Sequence, residues 1–121
     1  MLLLGDKAIK KLEQGGYKLH VTHYRKTTFG EYHSMPEIRK NFNQEFIEAR
    51  GGYTVVVLLD LKRHEQSEAI ATCSDDDCFN RRVGITIAFQ RARKWSSPKP
   101  LNADLLSPDE RAAYQNKEMP Q

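Results

Sequence analysis

The sequence predicts an α+β fold in which a small antiparallel sheet packs against one long two-faced helix, with short helices at the periphery. Residues 53–61 form a continuous, mostly β-branched apolar run, which is typical of a central strand. Residues 17–26 alternate in polarity like a half-buried strand, and residues 75–95 place apolar side chains at helical spacing. The 121 residues are one domain's length. We expect one domain over 1–121, made of a short helical start (1–16), a core sheet with the long helix (17–95) and a tail with a short helix (96–121).

The composition describes a globular protein of mildly basic character. Hydrophobic residues make up 39% and charged residues 29% of the chain, and the formal net charge is +3. This balance suits an anionic ligand and does not favour nucleic acid as the partner. Positive charge is concentrated over 81–99, where no Asp or Glu occurs. Met1 to Leu4 is too short an apolar start for a signal peptide or a membrane span, so we expect an intracellular protein without a membrane partner.

The two cysteines do not follow a metal-binding or redox pattern. Cys73 and Cys78 are five residues apart, which is neither a C-x-x-C motif nor half of a paired zinc site. We expect both thiols to be reduced, with no metal and no cofactor.

The first two elements are well marked. Residues 6–14 place Ile9 and Leu12 on one face of a short amphipathic helix, which Gly15 and Gly16 end. The strand over 17–26 follows, and its apolar alternation becomes polar toward its far end, so this end is expected at the surface.

Residues 34–52 allow two interpretations. Ser34 and Glu37 have the spacing of a capping box, and Pro36 suits a first helical turn. Because apolar residues follow at near-helical spacing, we predict a helix here; they are Ile38, Phe42, Phe46 and Ala49. The alternative is a hairpin around residues 50–52 in which 45–49 pairs with the next strand.

The strand over 53–61 is followed by a polar turn at 62–67 and an antiparallel strand at 68–73. The long helix comes next and is expected to end at Trp95 and the proline-containing segment after it. In the tail, Ser107 and Pro108 start a short helix that we expect to run to about Asn116.

The long helix carries an acidic start and two apolar stripes. Ser74 and Asp77 have capping-box spacing, so we predict that the helix begins there. One stripe contains Phe79, Val83 and Ile87, and the other contains Ile85, Phe89 and Ala92. Gly84, Ala88 and Ala92 also leave a side without bulky side chains, where another backbone can approach closely. One interpretation is that one stripe faces the sheet and the other forms a homodimer or higher assembly through the 75–95 helix; the alternative is a core helix in a monomer.

No enzyme motif is present: the chain has no G-x-S-x-G, no G-x-G-x-x-G and no phosphate-binding loop of the G-x-x-x-x-G-K type. We therefore expect a binding protein and not an enzyme. Asn80, Arg81 and Arg82 at the predicted helix start suit a phosphate, although Arg81 would equally pair with Asp77. Candidates for holding a base and its phosphate lie on the sheet, where they would otherwise be edge or core residues: Tyr24, Arg25 and Tyr53.

The segment SDDDCFNRRVGITIAFQRARK resembles a pattern found in small bacteriophage proteins, and the layout over 53–94 is similar to the first type of Thoeris anti-defence sponge. Members of that family enclose cyclic ADP-ribose isomers, and some hold small cyclic oligonucleotides, without cleaving them. The resemblance implies a phage protein of the host cytoplasm that binds a nucleotide signal and assembles through its helices. The matching positions are Phe79, Asn80, Arg81, Arg82 and Gly84, while Ile85 stands where a basic residue is often found.

Three functions follow from these observations. The first is sequestration of a cyclic nucleotide immune signal by a phage protein, without degradation. The alternative is a phage inhibitor that binds a host defence protein directly, as anti-CRISPR proteins do, through the basic 81–99 side. A weak nucleic-acid binder is a third possibility.

Overall fold

The computed structural model describes residues 3–94 and 98–112 and confirms the α+β fold. Its five strands form one antiparallel sheet in the order β2-β1-β3-β4-β5. The strands are β1 (Tyr17–Lys26), β2 (Tyr32–Ser34), β3 (Tyr53–Asp60), β4 (Glu65–Thr72) and β5 (Lys99–Pro100). The helices are α1 (Asp6–Gln14), α2 (Met35–Asn41) and α3 (Arg81–Lys94), with 3₁₀ turns at Gln44–Phe46 and Ala103–Leu105.

The centre of the sheet follows the sequence closely. The bounds of α1 and β1 are as predicted, and β1 pairs with β3 from Tyr17 opposite Asp60 to Tyr24 opposite Tyr53. Strand β4 begins at Glu65, earlier than the predicted residue 68. The turn before it is tighter than predicted, because Asp60 Oδ1 accepts hydrogen bonds from two backbone N–H groups of the turn, each at 3.1 Å.

The first part of the helix predicted between β2 and β3 is confirmed: α2 follows Ser34 and has Pro36 in its first turn. Helix α2 ends at Asn41, and Phe42 is extended, so the prediction of one helical face from Ile38 to Ala49 is wrong. The alternative hairpin is also wrong, since Ile47 pairs with Thr27 and not with the following strand. Backbone bonds to the end of β1 hold this segment extended, including Thr28 N–H to Phe46 O at 2.8 Å.

The long helix begins at Arg81, so the predicted start at Ser74 is wrong. Ser74 instead closes a turn: its Oγ accepts the Asp76 N–H at 3.2 Å. Residues 77–79 pair with residues 49–51, and Arg50 forms an isolated β-bridge with Cys78. Asn80 is the residue that caps α3, because its Oδ1 accepts the Val83 N–H at 3.1 Å.

One face of the sheet packs against α3. The central cluster on this face consists of Val56, Ala71, Ala88 and Phe89, all buried. Partly buried side chains from the N-terminal segment, α1, the sheet and α3 surround it: Leu4, Leu12, Leu19, Val21, Leu58 and Ile87. Helix α3 approaches closely at Gly84, where a Cβ would lie 2.4 Å from Thr54 Oγ1. The predicted close approach at the small-residue stripe is therefore made within the chain.

The other face of the sheet is covered at one end by the C-terminal segment. Val57 and Leu59 of β3 pack there against Leu101 and Leu106. A helix begins at Pro108, as predicted, and Glu110 in it forms an ion pair with Lys18 of β1. The predicted extension to Asn116 and the predicted stop at Trp95 lie outside the described residues.

Candidate functional site

The sheet divides the predicted site residues between its two faces. Successive side chains of a strand point to opposite faces, and His23 pairs with Thr54, which contacts α3. His23 and Arg25 therefore lie on the face of the sheet that carries α3. Tyr24 and its partner Tyr53 lie on the opposite face. Within residues 3–94 and 98–112, the tyrosine pair and the arginine-lined cleft described below have no lining residue in common.

Arg25 and Phe79 hold each other in place. The Arg25 Cζ lies 4.5 Å from the centroid of the Phe79 ring, a cation–π contact. The same guanidinium donates from Nη2 to Glu48 O at 2.9 Å, while its buried Nε has no hydrogen-bond partner among the described residues. These contacts clamp the loop before β3 onto the loop before α3, so Arg25 has a structural role whether or not it meets a ligand.

The ring of Phe79 fits over Gly52. Gly52 has φ +91°, and a Cβ there would lie 2.7 Å from Tyr24 O and 2.9 Å from the Phe79 ring. A larger residue would therefore be strained and would displace the ring. The edge of the His23 ring also meets Phe79, with the two ring centroids 5.5 Å apart and the planes at 86°. The Phe79 ring thus lies between the His23 imidazole, the Arg25 guanidinium and the backbone at Gly52.

His23 is buried and neutral. The residue is 8% exposed, and its Nδ1 lies 2.9 Å from Thr54 Oγ1. Burial, aided by the positive charges of Arg81 and Arg25, lowers the pKa of His23 to about 4. At neutral pH the imidazole therefore adds polar atoms beside these arginines and no further positive charge.

Arg81 lies in a cleft between β1 and α2 that has a volume of about 320 Å³. We call it the arginine cleft. The residues that line it are His20, Val21, Thr22, His23, Met35, Pro36, Arg39 and Arg81. None of these described lining residues is an Asp or a Glu. The arginine cleft is therefore a concave site with two guanidinium groups, at the small end of the roughly 300–1,000 Å³ usual for small-molecule pockets.

The sequence did not identify Arg39 or the two histidines of this cleft. Arg39 lies on α2, where the sequence shows a capping-box pattern and only a short apolar periodicity. This pattern does not indicate which strand the helix packs beside. The juxtaposition of Arg39 with Arg81 depends on a contact between residues 42 positions apart in sequence.

The other residues predicted at the helix start have structural partners. Asn80 caps α3, and Arg82 pairs with Asp6 at 3.3 Å and donates to Leu4 O at 3.3 Å. Arg82 therefore anchors the N-terminal segment on α3. The alternative pairing of Arg81 with Asp77 does not form within residues 3–94 and 98–112, since Asp77 lies in the turn that precedes the helix.

Tyr24 and Tyr53 stack on the opposite face of the sheet. Their ring centroids are 4.6 Å apart and their planes differ by 11°, and Tyr32 leans on Tyr53 at 5.7 Å. Burial and the two neighbouring phenols raise the pKa of Tyr53. Each tyrosine ring thus covers part of its neighbour's face. Together the rings form an aromatic surface that is separate from the arginine cleft.

Two further cavities differ in chemistry from the arginine cleft. One, of about 500 Å³, is lined by both signs of charge, including Asp60, Glu65 and Arg93. The other, of about 420 Å³, lies between β4 and α3 and is lined by both free cysteines. Cys73 Sγ donates there to Asp77 O at 3.3 Å. Over residues 3–94 and 98–112, no group of three or more His, Cys, Asp or Glu side chains is placed to hold a metal ion.

The apolar residues of α3 are largely used within the chain. Ala88, Phe89 and Ala92 are buried, and Ile87 packs on the core cluster. The exposed side chains on this helix are polar: Arg81, Arg82, Gln90, Arg91, Arg93 and Lys94. An assembly through α3 would therefore bring two basic surfaces together. It would need an anion between them to offset their repulsion; otherwise the chains would have to assemble through another interface.

In the part of the chain that is described, no helix combines the length and apolar character needed to cross a bilayer. No protein-family model matches this sequence, and no curated protein or solved structure is significantly similar to it.

Proposed function

We propose that this protein binds a phosphate-containing cyclic nucleotide in the arginine cleft and sequesters it without degrading it. The observation that carries the proposal is the pair of guanidinium groups, Arg39 and Arg81, in one cleft without a carboxylate among its described lining residues. Guanidinium groups recognise phosphate oxygens through two parallel hydrogen bonds. The neutral imidazole of His23 beside them offers a ring edge that does not repel the arginines.

The identity of the ligand rests on the resemblance of residues 74–94 to the Thoeris anti-defence sponges. On that basis the ligand is a cyclic ADP-ribose isomer or a small cyclic oligonucleotide, and the protein is a phage product that acts in the host cytoplasm. Retention without turnover rests on the same resemblance, since those sponges hold their ligands without cleaving them.

Calorimetry with cyclic ADP-ribose, its glycosidic isomers and a cyclic trinucleotide tests this function. We expect at least one of them to bind, and Arg81→Ala and Arg39→Ala each to weaken binding by about 10-fold to 100-fold, as a charged hydrogen bond worth about 1.5–3 kcal/mol implies. Arg82→Ala is the matched control, since Arg82 adjoins Arg81 but pairs with Asp6. It should bind like the wild type.

The recovered ligand distinguishes sequestration from catalysis. After incubation with the ligand that binds, heat denaturation of the protein should release it with its mass unchanged. A converted product would refute sequestration. Binding that is unchanged in both Arg81→Ala and Arg39→Ala would move the site away from the arginine cleft, and binding of none of the nucleotides would refute the proposed ligand class.

A homodimer or higher assembly through α3 is the second part of the proposal. Light scattering without and with the bound nucleotide tests it against the 14.0 kDa of one chain. We expect a mass of at least two chains when the nucleotide is bound, because the sponges that residues 74–94 resemble associate through their helices. A mass of one chain in both conditions would refute assembly.

A further inference from the structure

A second cleft, on the far side of α2, combines exposed aromatic rings with positive charge. It has a volume of about 350 Å³ and is lined by Phe29, Phe42 and Phe46, by Arg39 and Lys40, and by Asn41 and Asn43. We call it the phenylalanine cleft. Phe29 is 65% exposed and Phe46 37%, which are high values for large apolar side chains. The core does not use these rings, so their exposure needs another explanation.

Hydrogen bonds of the backbone hold the two segments that carry the exposed rings. Thr27 is buried, and both its N–H (2.8 Å) and its hydroxyl (3.2 Å) donate to Glu31 O, which closes the loop that carries Phe29. Gly30 turns this loop with φ +85°. The Thr28 N–H donates to Phe46 O at 2.8 Å, and the ring centroids of Phe29 and Phe46 are 5.5 Å apart. Because these bonds fix the backbone on both sides, a partner that covers the rings does not have to order the loop that carries them.

The charges of the cleft select the partner. Arg39 and Lys40 line it, and none of the described lining residues is an Asp or a Glu. A complementary partner therefore carries acidic side chains around an apolar one. The amides of Asn41 and Asn43 suit the backbone of a peptide, because each amide group both donates and accepts hydrogen bonds. A single short cleft with two cations is a poor track for the regularly spaced phosphates of a nucleic-acid strand.

We propose that the phenylalanine cleft is a docking site for an acidic peptide segment of another protein, which packs one apolar side chain against the adjoining rings of Phe29 and Phe46 and pairs its carboxylates with Lys40 and Arg39. The argument for this interaction does not rest on the nucleotide proposed above, although the two clefts share Arg39. Arg39 lines both clefts, so its substitution would disturb both functions. Lys40 and Phe29 belong to the phenylalanine cleft alone.

A selection from a displayed library of random 12-residue peptides, with Phe29→Ser protein as the counter-selecting surface, tests this proposal. We expect the enriched peptides to contain several Asp or Glu residues and at least one apolar residue. Synthetic versions should bind at least 10-fold more weakly to Phe29→Ser and to Lys40→Glu. Ile70→Ser is the matched control, because Ile70 is also a half-exposed apolar residue but lies on β4; it should bind like the wild type.

Three results would overturn the proposal: no peptide enriched over the Phe29→Ser surface, enrichment of peptides without acidic residues, or affinities that Ile70→Ser reduces as much as Phe29→Ser. The other classes of partner are tested with a 20-nucleotide oligothymidylate and with vesicles of equal phosphatidylserine and phosphatidylcholine. Binding of either one that depends on Phe29, without acidic-peptide binding, would assign the cleft to that partner instead. Unchanged nucleotide affinity in Phe29→Ser and Lys40→Glu would show that the two clefts act separately.

Discussion

Thr54 and Gly84 set the distance between the central strand and the long helix. A Cβ on residue 84 would lie 2.4 Å from Thr54 Oγ1 and 3.1 Å from Thr54 Cβ. The same hydroxyl lies 2.9 Å from His23 Nδ1. One buried threonine therefore positions both the first turns of α3, which carry Arg81, and the imidazole beside the arginine cleft.

Gly84→Ala is expected to destabilise the fold. Alanine gains up to about 1 kcal/mol of helix propensity over glycine, but overpacking a buried contact typically costs about 1–3 kcal/mol, so we expect a net loss of about 1 kcal/mol. Urea denaturation measures it. In a Thr54→Ala background the 2.4 Å clash with Oγ1 is removed and the 3.1 Å contact with Cβ remains, so Gly84→Ala should then cost less than it does in the wild type. Additive effects of the two substitutions would show that the Thr54 contact does not limit the approach of α3.

The buried imidazole of His23 makes stability depend on pH. Its pKa is about 4 in the folded protein and near 6.5 when unfolded, so the unfolded chain binds more protons between these values. The free energy of unfolding should therefore fall as the pH drops from about 6.5 to 4, by on the order of 3 kcal/mol from this group. Urea denaturation of wild type and His23→Gln across this range should show a smaller fall in the variant.

His33 provides the control for this titration because its sign is opposite. Hydrogen bonds from His33 to Glu31 and Glu37 raise its pKa, so its contribution is present at low pH and is lost as the pH rises through the folded value. His33→Gln should therefore change the pH dependence of stability only above about pH 6.5, and it should leave the fall between pH 6.5 and 4, which His23→Gln reduces, as in the wild type. Equal slopes in all three proteins would contradict the burial of a neutral His23.

Thr86→Val is expected to release the N-terminal segment from α3. Thr86 is 2% exposed, and its hydroxyl accepts the Leu4 N–H and donates to Arg82 O, each at 2.8 Å. Valine keeps the shape but leaves the Leu4 N–H without its partner, which costs about 1–3 kcal/mol. Hydrogen exchange should speed up at Leu4 and in α1 but not in β3. Uniform acceleration would instead indicate a general loss of stability.

Leu106→Ala tests whether the C-terminal segment belongs to the core. Leu106 is 4% exposed and packs with Leu59 and Leu101 on the sheet face opposite α3. Truncation of a buried leucine costs about 2–5 kcal/mol, so we expect a clear fall in the denaturation midpoint. Leu3→Ala serves as the control, since Leu3 is 50% exposed and should cost much less.

The sequence predicted the elements whose pattern is local. The bounds of α1 and β1 follow from amphipathic spacing and from the glycines between them, and the β-branched run identifies β3. The start of α3 was misplaced because Ser74 and Asp77 match a capping box, while Asn80 is the residue that caps the helix. The difference depends on pairing of Cys78 with Arg50, a nonlocal contact that capping rules do not include.

The candidate site was predictable only in part, for the same reason. Arg81 and Phe79 were identified from their own segment, but Arg39 and His23 reach the arginine cleft through the packing of α2 and α3 on β1. Tyr24 and Arg25 are neighbours in sequence and point to opposite faces of the sheet. Adjacent positions on a strand therefore mislead when they are assumed to act on one ligand.

The hydrogen bond between Leu4 and Thr86 joins residues 82 positions apart, and this separation bears on the order of folding. Closing so long a loop costs entropy before any contact repays it, so the β3–β4 hairpin and α3 are expected to form first. Kinetic measurements on Thr86→Val should then show an unchanged folding rate and faster unfolding. During synthesis, the N-terminal helix emerges long before α3, so the Leu4–Thr86 and Asp6–Arg82 contacts that tie the start of the chain to α3 form only after residue 86 has been made.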